Sequence, residues 1–343
     1  MGTILAIAAI VMALVLVGVP FGPHIYVLGA LIVLLWVAAM TRPKPALLIA
    51  AGVLTGFVGI ANAPFDAPRK FFNVLKKAAK DGDAGAQSTM DLWTGLATYH
   101  VVLELVLVVL LIAAIVVAAR RSHRGAHQFL FDGAEGLGEF AVGIGRVAAW
   151  LFIPMMAIIF YDVMQRKYLD YDQGFADSFL FTLLPSTKLQ EGEWHLHGIL
   201  FLLCLGYAYM KDAHVRIELV RDHMGPRSRV WLELLGCTLF LIPYCMLIYG
   251  YGYQFAEKSF AINEVSASLT GLPHRWVIKS FLPIGFTVLA LAGAAVWLKC
   301  FVYLFGPPDL RQKTAYYAGT HHADIPEDMT EEVAVVHNPG GQG

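Results

Sequence analysis

The sequence predicts an all-α integral membrane protein with about eight transmembrane helices. Eight long apolar stretches fill the 343-residue chain, in which 57% of the residues are hydrophobic and only 15% are charged. A helix needs roughly 20 mostly apolar residues to cross the roughly 30 Å hydrocarbon core of a bilayer. A soluble protein of this size would carry more charge, since charged residues make up about a quarter of a soluble domain.

The first four spans are predicted in the N-terminal half. Residues 3–40 contain two of them, separated by a turn at 18–23 whose glycines and prolines interrupt the helix. The third span lies at about 45–63 and the fourth at about 95–119. Between these two, residues 64–93 are polar and mix lysines with apolar residues, as expected for an amphipathic helix on the membrane surface.

The C-terminal half is predicted to form a second group of spans, at about 138–162, 194–210, 234–256 and 277–299. A polar segment separates the two groups, and the end of the chain has the acidic, glycine-rich composition of a disordered region. These features divide the chain into a four-helix membrane extension at 1–125, a cytoplasmic connector at 126–137, a four-helix core at 138–305 and a disordered cytoplasmic tail at 306–343.

The basic loops predict the orientation. Lysine and arginine prefer the cytoplasmic side of a membrane, and they are concentrated at 120–137 and at 211–229. The connection at 163–193 is then outside, and eight spans place both termini in the cytoplasm. The basic residues within 64–93 conflict with this arrangement, because that loop would have to be outside.

Two ionisable residues stand inside the fourth predicted span. His100 and Glu104 are four residues apart and so share one helix face. An acid inside a span is costly unless it is paired or faces a polar interior. The pair is therefore either an ion or proton site or a structural contact near the membrane surface.

Other chemistry signals are weak. The net charge of -1 gives no basic field for nucleic acid. The four cysteines form no CxxC, and no hydrolase, nucleotide or zinc-protease motif is present. A diheme bundle needs histidines deep in two facing helices, whereas His24, His195, His197, His214 and His274 lie near span ends. We therefore predict neither enzymatic activity nor a cofactor in this chain.

Polar residues border the spans of the C-terminal half in three stretches. Taken singly, they are typical of helix-end anchors, in which tryptophans lie at headgroup level and cations reach phosphates. We expect Glu193 to pair with Arg166 or Lys279 on the outer face. The candidate structural and interface residues are Arg166, Glu191, Glu193, Trp194, His214, Arg216, Glu218, Arg275, Trp276 and Lys279.

Taken together, these stretches resemble the small permease subunit of TRAP transporters, the DctQ-like family, over residues 138–305. The matching features are Arg166 after the first helix, Glu193-Trp194 opening the second, the 214–218 motif after it, and Gly271-Leu272-Pro273 with Lys279 opening the fourth. Two features depart from the family pattern: Glu191 and Glu193 precede the tryptophan, and residues 1–125 have no counterpart in the usual small subunit.

The resemblance implies a scaffold subunit of a tripartite, sodium-coupled importer in the bacterial inner membrane. Its implied partners are a large permease subunit, a periplasmic substrate-binding protein and membrane lipids, and its substrate class is an organic acid. The sodium and substrate sites would then lie in the large subunit. Two alternatives stay open: a self-contained transporter that uses His100 and Glu104, and a haem-binding membrane redox subunit.

Overall fold

Every regular element that the structure describes is helical, which confirms the predicted all-α class. The computed structural model describes residues 36, 44–62, 76–82, 84–88, 109, 112–113, 115–213, 223–268 and 271–314. The two spans predicted within 3–40 and most of the span predicted at 95–119 lie outside these residues. The number of eight spans therefore stays a prediction.

From α2 onwards the helices follow one another closely along the chain, with longer connections between α5 and α6 and between α7 and α8. Their bounds are α1 Pro45–Asn62, α2 Ala126–Ala149, α3 Phe152–Leu169, α4 Phe179–Leu183, α5 Ser186–Met210, α6 Pro226–Gly236, α7 Ile242–Ala261, α8 Trp276–Phe305 and α9 Pro308–Lys313. A 3₁₀ turn at Gln173–Asp177 precedes α4, and a π turn at Cys237–Leu241 joins α6 to α7.

Three helical stretches among the described residues are long and apolar enough to cross a membrane. They are α2–α3 as one stretch of 44 residues, α6–α7 as one of 36 residues, and α8 with 30 residues. The 25-residue α5 packs among them, but acids and a lysine occupy its first turns. These four helical units form the core, and they correspond to the four spans predicted for the C-terminal half.

The π turn follows from the sequence at the start of α7. Pro243 has no backbone N–H, so a regular helix would leave one carbonyl without its donor at this point. Tyr209 at the end of α5 meets the turn, because its hydroxyl lies 3.0 Å from the Cys237 sulfur and donates to Glu233 over 3.0 Å. These contacts attach the α6–α7 junction to the end of α5.

Helix α8 is the centre of the core. In its most apolar stretch 67% of the residues are buried, whereas the figure for α2–α3 and for α6–α7 is 17%. Glycines allow the close approach of α5 to α8: a Cβ atom at Gly285 would lie 2.7 Å from the carbonyl oxygen of Leu202, and one at Gly206 would lie 2.9 Å from Val288. The helix is apolar on all sides because it is surrounded on most of them.

Two segments differ from the sequence interpretation. The expected connector at 126–137 is the first half of α2, where Phe129 and Leu137 are buried in a cluster with Leu48 of α1. Phe129, Gly133 and Leu137 are spaced four residues apart and lie on one buried face of the helix. The expected disordered tail begins with α9, in which Leu310 is only 6% exposed; residues 315–343 lie outside the described residues.

We predict that Gly285→Ala lowers the stability of the core by about 1–3 kcal/mol, because the new methyl group would overlap the backbone of α5. Gly192→Ala in α5 is the matched control, since a Cβ atom there meets nothing within 4 Å. Thermal unfolding of the purified variants in one detergent measures both effects. Equal stability of the two variants would contradict the tight α5–α8 contact.

Candidate functional site

Most of the predicted site residues meet at one end of the core, which we name the rim. The rim is the end at which α3 and α7 terminate and α5 and α8 begin. Seven predicted residues lie at or next to it: Arg166, Glu191, Glu193, Trp194, Arg275, Trp276 and Lys279. The other predicted site residues, His100, Glu104, His214, Arg216 and Glu218, lie outside the described residues.

Glu191 connects α5 to the loop between α7 and α8. Its carboxylate accepts a hydrogen bond from the hydroxyl of Ser266 and another, over 2.6 Å, from the backbone N–H of Leu272. A Cβ atom at Gly271 would lie 2.7 Å from a Glu191 oxygen, so only glycine allows this approach. The Gly-Leu-Pro motif thus has a structural explanation. Gly271 lets the loop approach the Glu191 carboxylate, and the backbone N–H of Leu272 donates a hydrogen bond to it.

Trp194 is exposed at the rim, and the partly buried Arg275 lies beside it. The guanidinium of Arg275 lies 5.6 Å from the centre of the Trp194 ring, a cation–π contact, and 45% of Trp194 is exposed. His195 lies beside Trp194 and donates from its ring Nδ1 to the carbonyl oxygen of Glu191. Trp276 packs edge-on against Phe260 at the end of α7.

A second acid in the α7–α8 loop pairs with the start of α8. Glu264 binds the ammonium group of Lys279, which also lies 3.9 Å from the centre of the Phe255 ring. The hydrogen bond from Lys279 holds the pKa of Glu264 below its ordinary value of 4.5. The loop turns through left-handed conformations at Asn263 and His274, whose side chains are hydrogen-bonded over 3.1 Å.

Asp162 makes the corresponding connection between α3 and α5. It is only 2% exposed, accepts a hydrogen bond of 2.5 Å from Ser186, and pairs with Arg166 over 2.5 Å. The sequence analysis did not include Asp162 among the candidate site residues. Its four-residue spacing from Arg166 was the available signal, because that spacing brings opposite charges together on a helix.

The expected pairing of Glu193 is wrong. Arg166 pairs with Asp162, and Lys279 pairs with Glu264. Within the described residues Glu193 takes part in no hydrogen bond or ion pair. The reason is local: an acid one turn away on the same helix reaches Arg166 more easily, and the α7–α8 loop brings Glu264 directly over Lys279.

The rim therefore contains a set of hydrogen bonds and ion pairs that connect helix ends, and we call these contacts braces. Each acid joins two elements: Asp162 joins α3 to α5, Glu191 joins α5 to the α7–α8 loop, and Glu264 joins that loop to α8. Within the described residues, no group of three or more metal-binding side chains converges. The arrangement fixes the geometry of the rim and presents an aromatic and cationic surface at Trp194 and Arg275.

Comparison with known proteins relates part of this chain to a known family. Residues 155–302 match the family model described as tripartite ATP-independent periplasmic transporters, DctQ component. Over these residues the chain is similar to the DctQ family. Searches of curated proteins and of solved structures found no match.

The DctQ segment runs from the first turn of α3 almost to the end of α8, and it contains the whole rim. The resemblance inferred from the sequence is confirmed over these residues, and it identifies the small permease component of a TRAP transporter. Helices α1 and α2 both precede the match. The N-terminal extension is thus not accounted for by the DctQ family.

We predict that Glu191→Gln loosens the α7–α8 loop, because an amide offers one acceptor oxygen in place of the two that Ser266 and Leu272 use. Amide hydrogen exchange of residues 271–275 should become faster. Glu193→Gln is the matched control, two residues away and without a partner in the described part of the chain, and it should leave exchange unchanged. Equal exchange in both variants would count against the brace.

Acid should weaken the Glu264–Lys279 brace. Since the pKa of Glu264 is lowered in the folded protein, the pair adds stability above pH 4.5, and this contribution is lost as the pH falls through the lowered pKa. Wild type should exceed Glu264→Gln in melting temperature at pH 7, and the gap should close towards pH 3. A gap that stays constant over this range would show that the ionised pair contributes nothing.

Proposed function

We propose that this chain is the small membrane subunit of a sodium-coupled TRAP importer in the bacterial inner membrane. In this role it braces the large permease subunit and helps to dock a periplasmic binding protein that delivers an organic acid. The observation that carries the proposal is the DctQ match over a core of four helical units that are tied together at the rim.

The outward faces of the core support the bracing role. Helix α8 is buried in the core. The stretches α2–α3 and α6–α7 pack around it and leave large apolar side chains exposed on their outer faces. Val147 on α2 is 73% exposed, Trp150 just after α2 is 71% exposed, and Phe240 at the α6–α7 junction is 74% exposed. In a membrane such faces contact either lipid or another membrane protein, and a scaffold subunit needs at least one of the second kind.

The charge distribution supports an orientation with the rim outside. The opposite end of the core carries exposed cations at Arg124, Lys211 and Arg227. Because cations prefer the cytoplasmic side, the rim would face the periplasm. Trp194 and Arg275 would then be available to the binding protein, since aromatic side chains and arginine are frequent in protein interfaces.

The coupling ion and the substrate belong to the partners in this proposal. The described rim acids are all engaged in braces, apart from Glu193 at its edge, so none of the three bracing acids is free to carry a sodium ion. Sodium coupling and the organic-acid substrate therefore rest on the resemblance to TRAP systems, in which the large subunit holds both sites.

The proposal predicts that gentle detergent extraction of the tagged chain brings down one larger membrane protein in stoichiometric amount. Mass spectrometry should identify it as a TRAP large permease subunit, and removal of either chain should abolish sodium-dependent uptake of an organic acid. A chain that purifies alone and transports unaided would overturn the proposal. In that case His100 and Glu104 become the residues to replace next.

A further inference from the structure

Helix α1 lies before the DctQ match, yet protein surrounds its first three turns. Every residue from Pro45 to Thr55 is buried or half-buried, and Leu48 and Ile49 are each only 2% exposed. A helix that is apolar on all sides needs an apolar environment on all sides, which either lipid or protein supplies. The burial shows that protein supplies it along this part of α1.

One part of this environment is the core itself. Helix α1 contacts α2, α7 and α8, and its Leu48 and Ile49 belong to the buried cluster that includes Phe129 and Leu137 of α2. The α8 members of the cluster are Leu291, Ala294, Ala295 and Leu298. These positions recur every three or four residues and so share one face of α8. Helix α1 therefore covers part of that face and links α2 to α7.

Glycines of α2 bring α1 close. A Cβ atom at Gly136 would lie 2.5 Å from the Cβ atom of Ala46, and one at Gly133 would overlap the side chain of Ile49. Close contacts at small residues hold helices together in lipid, where the hydrophobic effect does not drive them together. Larger side chains at these two positions of α2 would keep α1 away from it.

Other residues of the N-terminal region cover α1 from further sides. A Cβ atom at Gly52 would lie 3.0 Å from the side chain of Ile115. The indole N–H of Trp36 donates to the hydroxyl of Thr55 over 3.0 Å, and that hydroxyl donates to the carbonyl oxygen of Ala51 over 2.6 Å. The buried hydroxyl is thus satisfied within the chain, and the first three turns of α1 offer no exposed face to another subunit.

We propose that α1 is a permanent part of the core and stays in place when the chain assembles with its partner. The part of this inference that concerns the large permease subunit rests on the proposed function, whereas the packing of α1 does not. Withdrawal of α1 would expose the α8 face at Leu291 and Leu298 and leave gaps beside Gly133 and Gly136. The large subunit therefore binds to faces that α1 leaves open, such as the outer faces of α3 and of α6–α7, where large apolar side chains are exposed.

Cleavage of the folded full-length chain tests whether α1 stays bound. A protease recognition sequence is inserted at the exposed turn at Asp81 and Gly82, between α1 and the DctQ match, and a tag is placed at the C-terminus. After cleavage in gentle detergent, we expect the N-terminal fragment with α1 to co-purify with the tagged fragment in equal amount. The same ratio should hold in the fraction that also contains the large subunit. Loss of the fragment from the cut chain, or its absence from that fraction alone, would overturn the inference.

Substitutions in α2 test whether the contact with α1 holds the fragment. Gly136→Val should lower the amount of retained fragment about ten-fold, because its side chain would overlap Ala46 and overpacking of a tight contact is destabilising. Gly143→Val is the matched control on the same helix, since a Cβ atom there meets nothing within 4 Å, and it should retain the fragment. Equal retention in both variants would show that α2 does not hold α1. Cleavage of the unsubstituted chain does not depend on these variants, so poor folding of Gly136→Val leaves that test intact.

The outcomes separate the inference from the proposed function. If the large subunit co-purifies with the tagged fragment but the α1 fragment is missing from that complex, the inference is overturned and the proposed function stands. If the uncut chain has no large partner subunit, the proposed function is overturned. Retention or loss of the α1 fragment in the cut chain then still decides whether α1 is a permanent part of the core.

Discussion

The packing of α5 against α8 is the contact on which the rest of the core depends. Gly206 and Gly285 bring the two backbones together, so that neither helix can slide without a clash. In lipid the hydrophobic effect does not drive helices together, and close packing of small residues takes its place. With α5 fixed on α8, the remaining helices can pack on the outside and leave their other faces free for partners.

The rim follows from this contact. Both α5 and α8 begin there, and the acids that hold the surrounding elements are placed relative to those two helix ends. Glu191 reaches the α7–α8 loop only because Gly271 lets the backbone approach it. Asp162 reaches Ser186 because α3 ends beside the start of α5. Hydrogen bonds and ion pairs at the helix ends thus complete an assembly whose interior is held together by close packing.

Sequence reasoning identified the all-α class, and it predicted spans where the four helical units of the core lie and polar residues that lie at or next to the rim, because hydropathy and helix-end polarity are local properties. It assigned the wrong partner to Glu193, because pairing depends on where a loop folds, and the loop that carries Glu264 has no periodic pattern. It also missed the helical character of 126–137, in which Phe129 and Leu137 stand among polar residues. The buried role of Asp162 depends on Ser186, which is 24 residues away in the chain.

The charge of Arg146 bears on the moment when the chain enters the bilayer. Arg146 stands in the last turn of α2, just before the apolar run; an arginine inside a span adds a cost during insertion, and no acid on the neighbouring turns offsets it. The surrounding span must therefore be apolar enough to insert in spite of it, as the run of Trp150, Leu151, Phe152 and Ile153 is.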